Sequence, residues 1–155
     1  LIKELALCSG HTGIAGGQEL DLKFEKKKKT VSQIINMQRK KTGKLFNFCC
    51  LSAGIVGKKN KKIKIELSNL GEDIGLLFQL ADDFIDVKGS VKLAGKPTRK
   101  DKKKGKSTLV ALIGYKNAYS FANKLKKNIL SKLSKHEKKA KDLIDTVEFI
   151  IGRNF

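Results

Sequence analysis

The sequence has no tryptophan, a single proline and few aromatic residues, 6% of the total. Thr and Tyr, which favour strands, are also scarce, whereas Leu, Lys, Ile and Ala abound, and this balance favours helices. At 155 residues, 40% of them apolar, the chain can bury one core but is short for two domains. An intrinsically disordered protein would be poorer in apolar residues. We therefore expect one folded, helical domain.

Cysteine is too sparse and too poorly spaced for its common structural uses. Cys8, Cys49 and Cys50 are odd in number, and no CxxC pair is present, which excludes a disulfide framework and a zinc site built on CxxC. We expect a reducing compartment, the cytoplasm, and inert core positions for Cys49 and Cys50. The longest apolar stretch, residues 45–57, is too short to span a bilayer, and no secretory signal is visible. Since the chain begins at Leu1 instead of Met, we expect a fragment or a processed product.

Arginine is nearly absent although the chain is strongly basic. Only Arg39, Arg99 and Arg153 stand among 34 basic residues, and the formal net charge is +19. Such a charge suits nucleic acid, anionic membranes or phosphorylated small molecules, but proteins that read bases and phosphates favour the planar fork of Arg. The basic runs lack interleaved aromatics for base stacking, so we expect no nucleic-acid partner. A lysine-rich protein that binds nucleic acid or an anionic surface is the alternative from another class.

Hydrophobic periodicity divides the chain into helices joined by basic or glycine-rich connections. Helices are predicted over residues 1–22 (interrupted by glycines), 30–57 (with Thr30 as N-cap), 63–87, 107–133 and 136–151. Residues 89–106 are predicted to form a basic loop that contains the only proline. No segment sustains the period-two alternation of a strand, so the predicted fold class is all-α.

The third of these helices carries the pattern with the most chemical content. Three acids, Asp82, Asp83 and Asp86, lie close together there. A helical wheel with about 100° per residue places all three and Gln79 within one arc of about 100°, and leaves the remaining circumference apolar. Carboxylates crowded on a buried helix repel one another unless they are protonated or share cations. Because Mg²⁺ binds through one or two carboxylates, water and substrate phosphate, the pattern favours a metal-bridged phosphate site. An exposed acidic edge without metal is the alternative.

These acids stand within a sequence that resembles a known motif. Residues 79–87, QLADDFIDV, are similar to the second aspartate-rich motif, DDxxD, of the trans-isoprenyl diphosphate synthases, or polyprenyl synthetases. Further segments that resemble motifs of this family occur in the expected order: GGQxLDL at 16–22, KTG at 41–43, two loop motifs at 95–97 and 105–108, and Arg153-Asn154 at the C-terminal end. DDxxD alone has little specificity, but motifs in order across nearly the whole chain are specific. The resemblance is closest to short-chain bacterial enzymes of the farnesyl type.

The resemblance implies a helical bundle of the isoprenoid synthase type and a prenyltransferase activity. Such an enzyme condenses isopentenyl diphosphate with an allylic diphosphate, and Mg²⁺ stabilises the leaving diphosphate. Carried over by position, the family's functional residues are the metal ligands Asp82, Asp83 and Asp86, the diphosphate contacts Lys41, Lys96 and Lys106, and Thr42 and Gln79, whose oxygens would face the allylic cation. Lys41, Thr42 and Gln79 are the candidate catalytic residues, and Asp21 would organise the metal side. Complete members of the family are commonly homodimers.

The resemblance covers only the C-terminal half of the family. Its first aspartate motif has no counterpart in the 15 residues before Gly16, and the basic residues that bind isopentenyl diphosphate are missing as well. We therefore expect residues 1–155 to be the C-terminal portion of a polyprenyl synthetase domain, inactive as an isolated chain. Arg99 stands where the family loop has a second glycine. A degraded, non-catalytic remnant of such an enzyme is a further alternative.

Overall fold

The computed structural model describes residues 1–25, 27–88 and 108–152. Within these ranges the chain is helical and contains no strand, which confirms the predicted all-α fold class. The α-helices of these ranges are α1 (Ile2–Ser9), α2 (Ile14–Phe24), α3 (Val31–Gln38), α4 (Lys44–Val56), α5 (Lys61–Lys88), α6 (Leu109–Ile113), α7 (Tyr115–Leu133) and α8 (Lys141–Gly152). A π-helical segment, Arg39–Gly43, joins α3 to α4, and a 3₁₀ segment, Ser134–Ala140, precedes α8. The predicted basic loop at 89–106 and the C-terminal Arg153-Asn154 lie outside the described residues.

Local capping explains where several helices begin. The Thr30 side chain accepts from the Gln33 backbone N–H at 3.2 Å, and the Gln33 side chain accepts from the Thr30 N–H at 3.0 Å. This capping box satisfies two backbone donors at the start of α3 and confirms Thr30 as N-cap. Thr108 caps α6 in a similar way, through a 3.1 Å bond from the Ala111 N–H. Helix α5 matches its prediction within two residues at each end.

Four of the five predicted helices differ in their limits from the observed ones. The segment 30–57 divides into α3, the π-helical segment and α4. The segment 1–22 divides into α1 and α2, and its predicted interruption by glycines falls at residues 10–13, while α2 continues to Phe24. The segment 107–133 divides at Gly114, whose φ of 80° lies in the left-handed region that helices exclude. The last helix begins at Lys141, because the 3₁₀ segment occupies the residues before it. At Gly114 the hydrophobic period continues across a local break.

The chain forms two compact units, Leu1–Leu76 and Leu77–Phe155, and α5 contributes to both. In the first unit α1 packs on α4, and α2 packs on α3 and on the π-helical segment. Its buried apolar side chains include Cys8, Phe24, Ile34, Met37, Leu70 and Ile74. In the second unit α7 packs on α6 and α8. Its buried apolar side chains include Leu80, Phe84, Leu109, Ala122, Ile129 and Val147.

An aromatic cluster fixes the apolar side of α5 in the second unit. The Phe84 ring is fully buried, with its centroid 5.2 Å from that of Tyr115 and 5.7 Å from that of Tyr119. Tilted ring pairs at these distances are favourable beyond the area that they bury. Because Phe84 lies about 160° around the helix from Asp86, this packing directs the acidic arc away from the aromatic cluster.

The cysteine prediction is wrong for one residue of the adjacent pair. Cys49 is exposed and Cys50 is half-buried, whereas Cys8 is the buried thiol. Adjacent residues lie about 100° apart on a helix, so Cys49 and Cys50 do not share one face of α4. No helix in the described ranges is long and apolar enough to span a membrane.

Candidate diphosphate and metal site

The predicted acidic arc of α5 is largely withdrawn from solvent. Asp83 is 3% exposed and Asp86 is 8% exposed, while Asp82 is half-buried. Carboxylates in such positions require hydrogen bonds or cations, because burying an unpaired charge is costly. The observed burial therefore favours the phosphate-site interpretation over the exposed acidic edge.

Gln79 supports one of these acids directly. Its amide nitrogen Nε2 donates to Asp83 Oδ1 at 2.9 Å, one helical turn further along α5. Because the amide nitrogen of Gln79 binds the carboxylate, this bond identifies which end of the amide is nitrogen and which is oxygen. Asp83 is thus held by a neighbour on its own helix.

The donor chemistry of the arc fits a hard divalent cation that is shared with a ligand. No group of three or more His, Cys, Asp or Glu side chains is arranged to hold a metal among the described residues. A cage made only of protein ligands is therefore not formed in that part of the chain. In proteins, Mg²⁺ is commonly bound through one or two carboxylates, while phosphate and water supply the rest of its coordination shell. Asp82 and Asp86, one turn apart on α5, provide donors of the right kind and number for that arrangement.

The π-helical segment carries the two other predicted residues of the first unit, Lys41 and Thr42. A π-helical turn accommodates an additional residue compared with an α-helical turn, and such turns are frequent at functional sites. Lys41 Nζ lies 2.5 Å from Asp21 Oδ2, and the Asp21 side chain is buried while that of Lys41 is half-buried. The structure thus gives Asp21 a lysine partner, and its role on the metal side stays a prediction.

An ion-pair network next to this segment was missed by the sequence analysis. Arg39 Nη2 lies 2.7 Å from Asp73 Oδ1, and Lys44 Nζ lies 2.5 Å from Glu72 Oε1. On a helical wheel with Asp82 at zero, Glu72 falls at about 80°, inside the acidic arc. Its place on that arc is therefore a sequence signal for Glu72. Asp73 falls at about 180° on that wheel, and no sequence signal identified it.

The other predicted residues either belong to different units or lie outside the described ranges. Lys96, Lys106 and Arg99 lie outside the described residues. Lys41 and Thr42 belong to the first unit, and Gln79 and the three acids belong to the second.

Comparison with known proteins identifies the family. The sequence matches the family described as polyprenyl synthetase over residues 6–147, which is nearly the whole chain. This chain belongs to the polyprenyl synthetase family. The motif resemblance found in the sequence is thereby confirmed.

Several farnesyl diphosphate synthases are among the curated relatives of this polyprenyl synthetase chain. The Escherichia coli enzyme is 35% identical over 158 residues, which cover 99% of this chain and 53% of that protein. The Micrococcus luteus enzyme is 36% identical over 123 residues, which cover 79% of this chain and 42% of that protein. The chain therefore spans about half the length of these relatives.

Solved structures give the same result for the fold. The apo structure of an FPP/GFPP synthase from Zymomonas mobilis matches with a TM-score of 0.81 and 34% identity, over 96% of this chain and 49% of that one. A geranyltransferase from Helicobacter pylori, complexed with magnesium and isoprenyl diphosphate, matches with a TM-score of 0.82 and 30% identity, over 97% of this chain and 50% of that one. The chain thus has the fold of one half of these synthases.

Proposed function

We propose that this chain is the Mg²⁺- and diphosphate-binding half of a prenyltransferase that condenses isopentenyl diphosphate with an allylic diphosphate to form farnesyl or geranyl diphosphate. The observation that carries the proposal is the burial of Asp83 and Asp86 in the later part of α5, residues 74–87, whose other faces are apolar. The names of the relatives and the ligands of the Helicobacter pylori geranyltransferase support the same chemistry.

The acids of α5 would hold the metal. Asp82 and Asp86 would offer carboxylate oxygens, and Asp83, already bonded to Gln79, would support them. When bound, Mg²⁺ would offset the negative charge that grows on the leaving diphosphate as the allylic carbon–oxygen bond breaks.

Lys41 would bind the diphosphate, and two neutral side chains would act on the allylic cation. An ammonium group carries three N–H donors, so a bond to Asp21 leaves donors for phosphate oxygens. The Thr42 hydroxyl oxygen and the Gln79 carbonyl oxygen would present their negative dipole ends to the cation. Lys96 and Lys106 would add phosphate contacts, as their motifs imply.

Condensation would require groups that this sequence does not contain. The resemblance implies a second set of metal ligands, carried by a first aspartate motif, and the 15 residues before Gly16 contain no paired acids. We therefore expect no product when the isolated chain is incubated with Mg²⁺ and labelled isopentenyl and allylic diphosphates. A homodimer of the complete enzyme and a cytoplasmic location stay predictions.

Calorimetric titration with inorganic pyrophosphate, with and without Mg²⁺, tests whether the chain binds metal and diphosphate as proposed. We expect Mg²⁺-dependent binding, and a loss of affinity of about tenfold or more in Asp82→Asn and in Asp86→Asn. Asp145→Asn is the control, because Asp145 is an exposed acid of α8 whose partner is Lys141. An equal response of wild type and both arc variants would reject the metal assignment.

The basic-protein alternative requires a separate measurement, which is nucleic-acid affinity as a function of salt. A complex that survives high salt would favour that alternative, since binding through phosphates alone weakens steeply as salt rises.

A further inference from the structure

The π-helical segment Arg39–Gly43 is held by side chains at both of its ends. Arg39 is the first residue of the segment. Its Nη2 atom lies 2.7 Å from Asp73 Oδ1, and its Nη1 atom lies 3.6 Å from Glu72 Oε2. Lys44, the residue directly after the segment, lies 2.5 Å from Glu72 Oε1. Two consecutive acids of α5 therefore fix the two ends of the five residues that contain Lys41 and Thr42.

Glu72 is the centre of this arrangement. Its Oε1 accepts hydrogen bonds from Lys44 and from Asn47 Nδ2, at 2.5 and 3.1 Å, while its Oε2 faces Arg39. Asn47 is itself buried and donates to Ser68 Oγ at 2.6 Å. The Glu72 side chain is 20% exposed and that of Asp73 is 15% exposed. Charged hydrogen bonds in such a partly desolvated network are stronger than single pairs on the surface.

Close backbone contacts are made by the segment on two sides, at Lys41 and at Gly43. A Cβ placed on Gly17 of α2 would lie 2.2 Å from the backbone nitrogen of Lys41, and one placed on Gly75 of α5 would lie 2.6 Å from the Cα of Gly43. Only glycine permits these approaches. The segment therefore lies in van der Waals contact with the backbones of both helices, with Lys41 against α2 and Gly43 against α5.

We propose that Glu72 and Asp73 are positioning residues, which hold the π-helical turn in the register that presents Lys41 and Thr42 to the diphosphate substrate. The proposal rests on the proposed function for the identity of that substrate. A π-helical turn is less favourable than regular α-helix and persists where its surroundings impose it. Without the two carboxylates, Arg39 and Lys44 lose their partners and the turn can relax toward α-helical geometry. That relaxation would rotate Lys41 and Thr42 around the helix axis.

Amide hydrogen exchange, followed by NMR, tests the positioning role without reference to activity. The variants are Glu72→Gln and Asp73→Asn, which keep the shape of each side chain and remove its charge. We expect exchange of the Lys41 and Thr42 amides to quicken by about tenfold or more, as follows from weakening a charged hydrogen bond. The exchange rates of amides in α1 and α2 should change by less than about twofold. A general loss of stability would instead quicken exchange throughout the first unit.

Glu19→Gln is the matched control. Glu19 lies on α2, pairs with Lys23 and is exposed, so its loss removes an ion pair that does not touch the segment. If Glu72→Gln and Asp73→Asn leave the exchange of Lys41 and Thr42 no faster than in this control, or quicken exchange evenly across the unit, the inference is overturned.

Pyrophosphate titration in the presence of Mg²⁺ separates this inference from the proposed function. We expect the two variants to bind pyrophosphate about tenfold more weakly than wild type, while Glu19→Gln binds it equally well. A wild-type chain that binds no pyrophosphate rejects the proposed function, and the exchange comparison still decides whether the two acids hold the turn. Unchanged affinity in both variants, beside a binding wild type, refutes the positioning role.

Discussion

Replacing Gly17 by alanine tests the contact between α2 and the π-helical segment. The new Cβ would lie 2.2 Å from the Lys41 nitrogen and 2.5 Å from the Lys41 Cα, whereas ordinary contact begins near 3.4 Å. Both atoms belong to backbone, so no side-chain rotation relieves the overlap. One of the two helical segments has to move by about 1.2 Å, the difference between 3.4 and 2.2 Å.

Two opposing effects determine the magnitude for Gly17→Ala. Alanine is favoured over glycine inside a helix by about 1 kcal/mol. Overpacking at a rigid contact costs about 1–3 kcal/mol and occasionally more. Because the obstructing atoms are backbone, we expect the overpacking term near its upper end and a net loss of about 1–2 kcal/mol in the free energy of unfolding.

Urea unfolding followed by circular dichroism measures this loss, and Gly152→Ala is the control. Gly152 lies at the end of α8, and a Cβ placed on it would meet no atom within 4 Å, so the same chemical change should leave stability unchanged or slightly raised. Pyrophosphate affinity should fall in Gly17→Ala and not in Gly152→Ala. A Gly17→Ala chain as stable as wild type would show that the segment does not lie against α2 in the manner described.

Two further predictions concern the cysteines and the aromatic cluster. Burial raises the pKa of the Cys8 thiol above its ordinary value, and burial and the adjacent Cys49 do the same for Cys50, so both carry less reactive thiolate at pH 8. We expect iodoacetamide to label the exposed Cys49 first and Cys8 last. The labelling rate of Cys8 should still rise as the pH passes the ordinary thiol pKa. Equal labelling rates at the three cysteines, measured by mass spectrometry, would contradict this prediction. Phe84→Ala should lower the free energy of unfolding by about 3–5 kcal/mol, because it empties a fully buried position beside Tyr115, while Phe84→Leu should cost less. Urea unfolding of the two variants measures these losses. A loss of unfolding free energy below about 1 kcal/mol in Phe84→Ala would show that the ring is not packed as described.

The sequence predicted those features that depend on residues close together along the chain. The Thr30 cap involves Gln33, three residues later, and the acidic arc of α5 follows from helical spacing alone. The motifs around Asp82 and Gly16 also predicted the family, because they preserve residue types at fixed spacings. Gly114 shows the limit of periodicity, since the apolar pattern continues through a residue whose positive φ ends one helix and begins the next.

Some features depended on packing between segments that are distant in sequence. Arg39 and Asp73 are 34 residues apart, and Lys41 and Asp21 are 20 apart, and no local pattern selects these partners among so many lysines. The exposure of Cys49 was likewise missed, because an apolar run does not say which face of its helix is covered.

By itself, the sequence determined that the chain is helical, that it belongs with the polyprenyl synthetases and that acids lie together on one arc of α5, because caps, period and motif spacing act within a few residues. Only the tertiary structure decided that Asp83 and Asp86 are buried, that Lys41 is paired with Asp21 and that two acids of α5 pair with the residues at the ends of the π-helical segment. The physical reason is that burial and ion pairing belong to surfaces brought together by folding, and a linear pattern does not specify which surfaces meet.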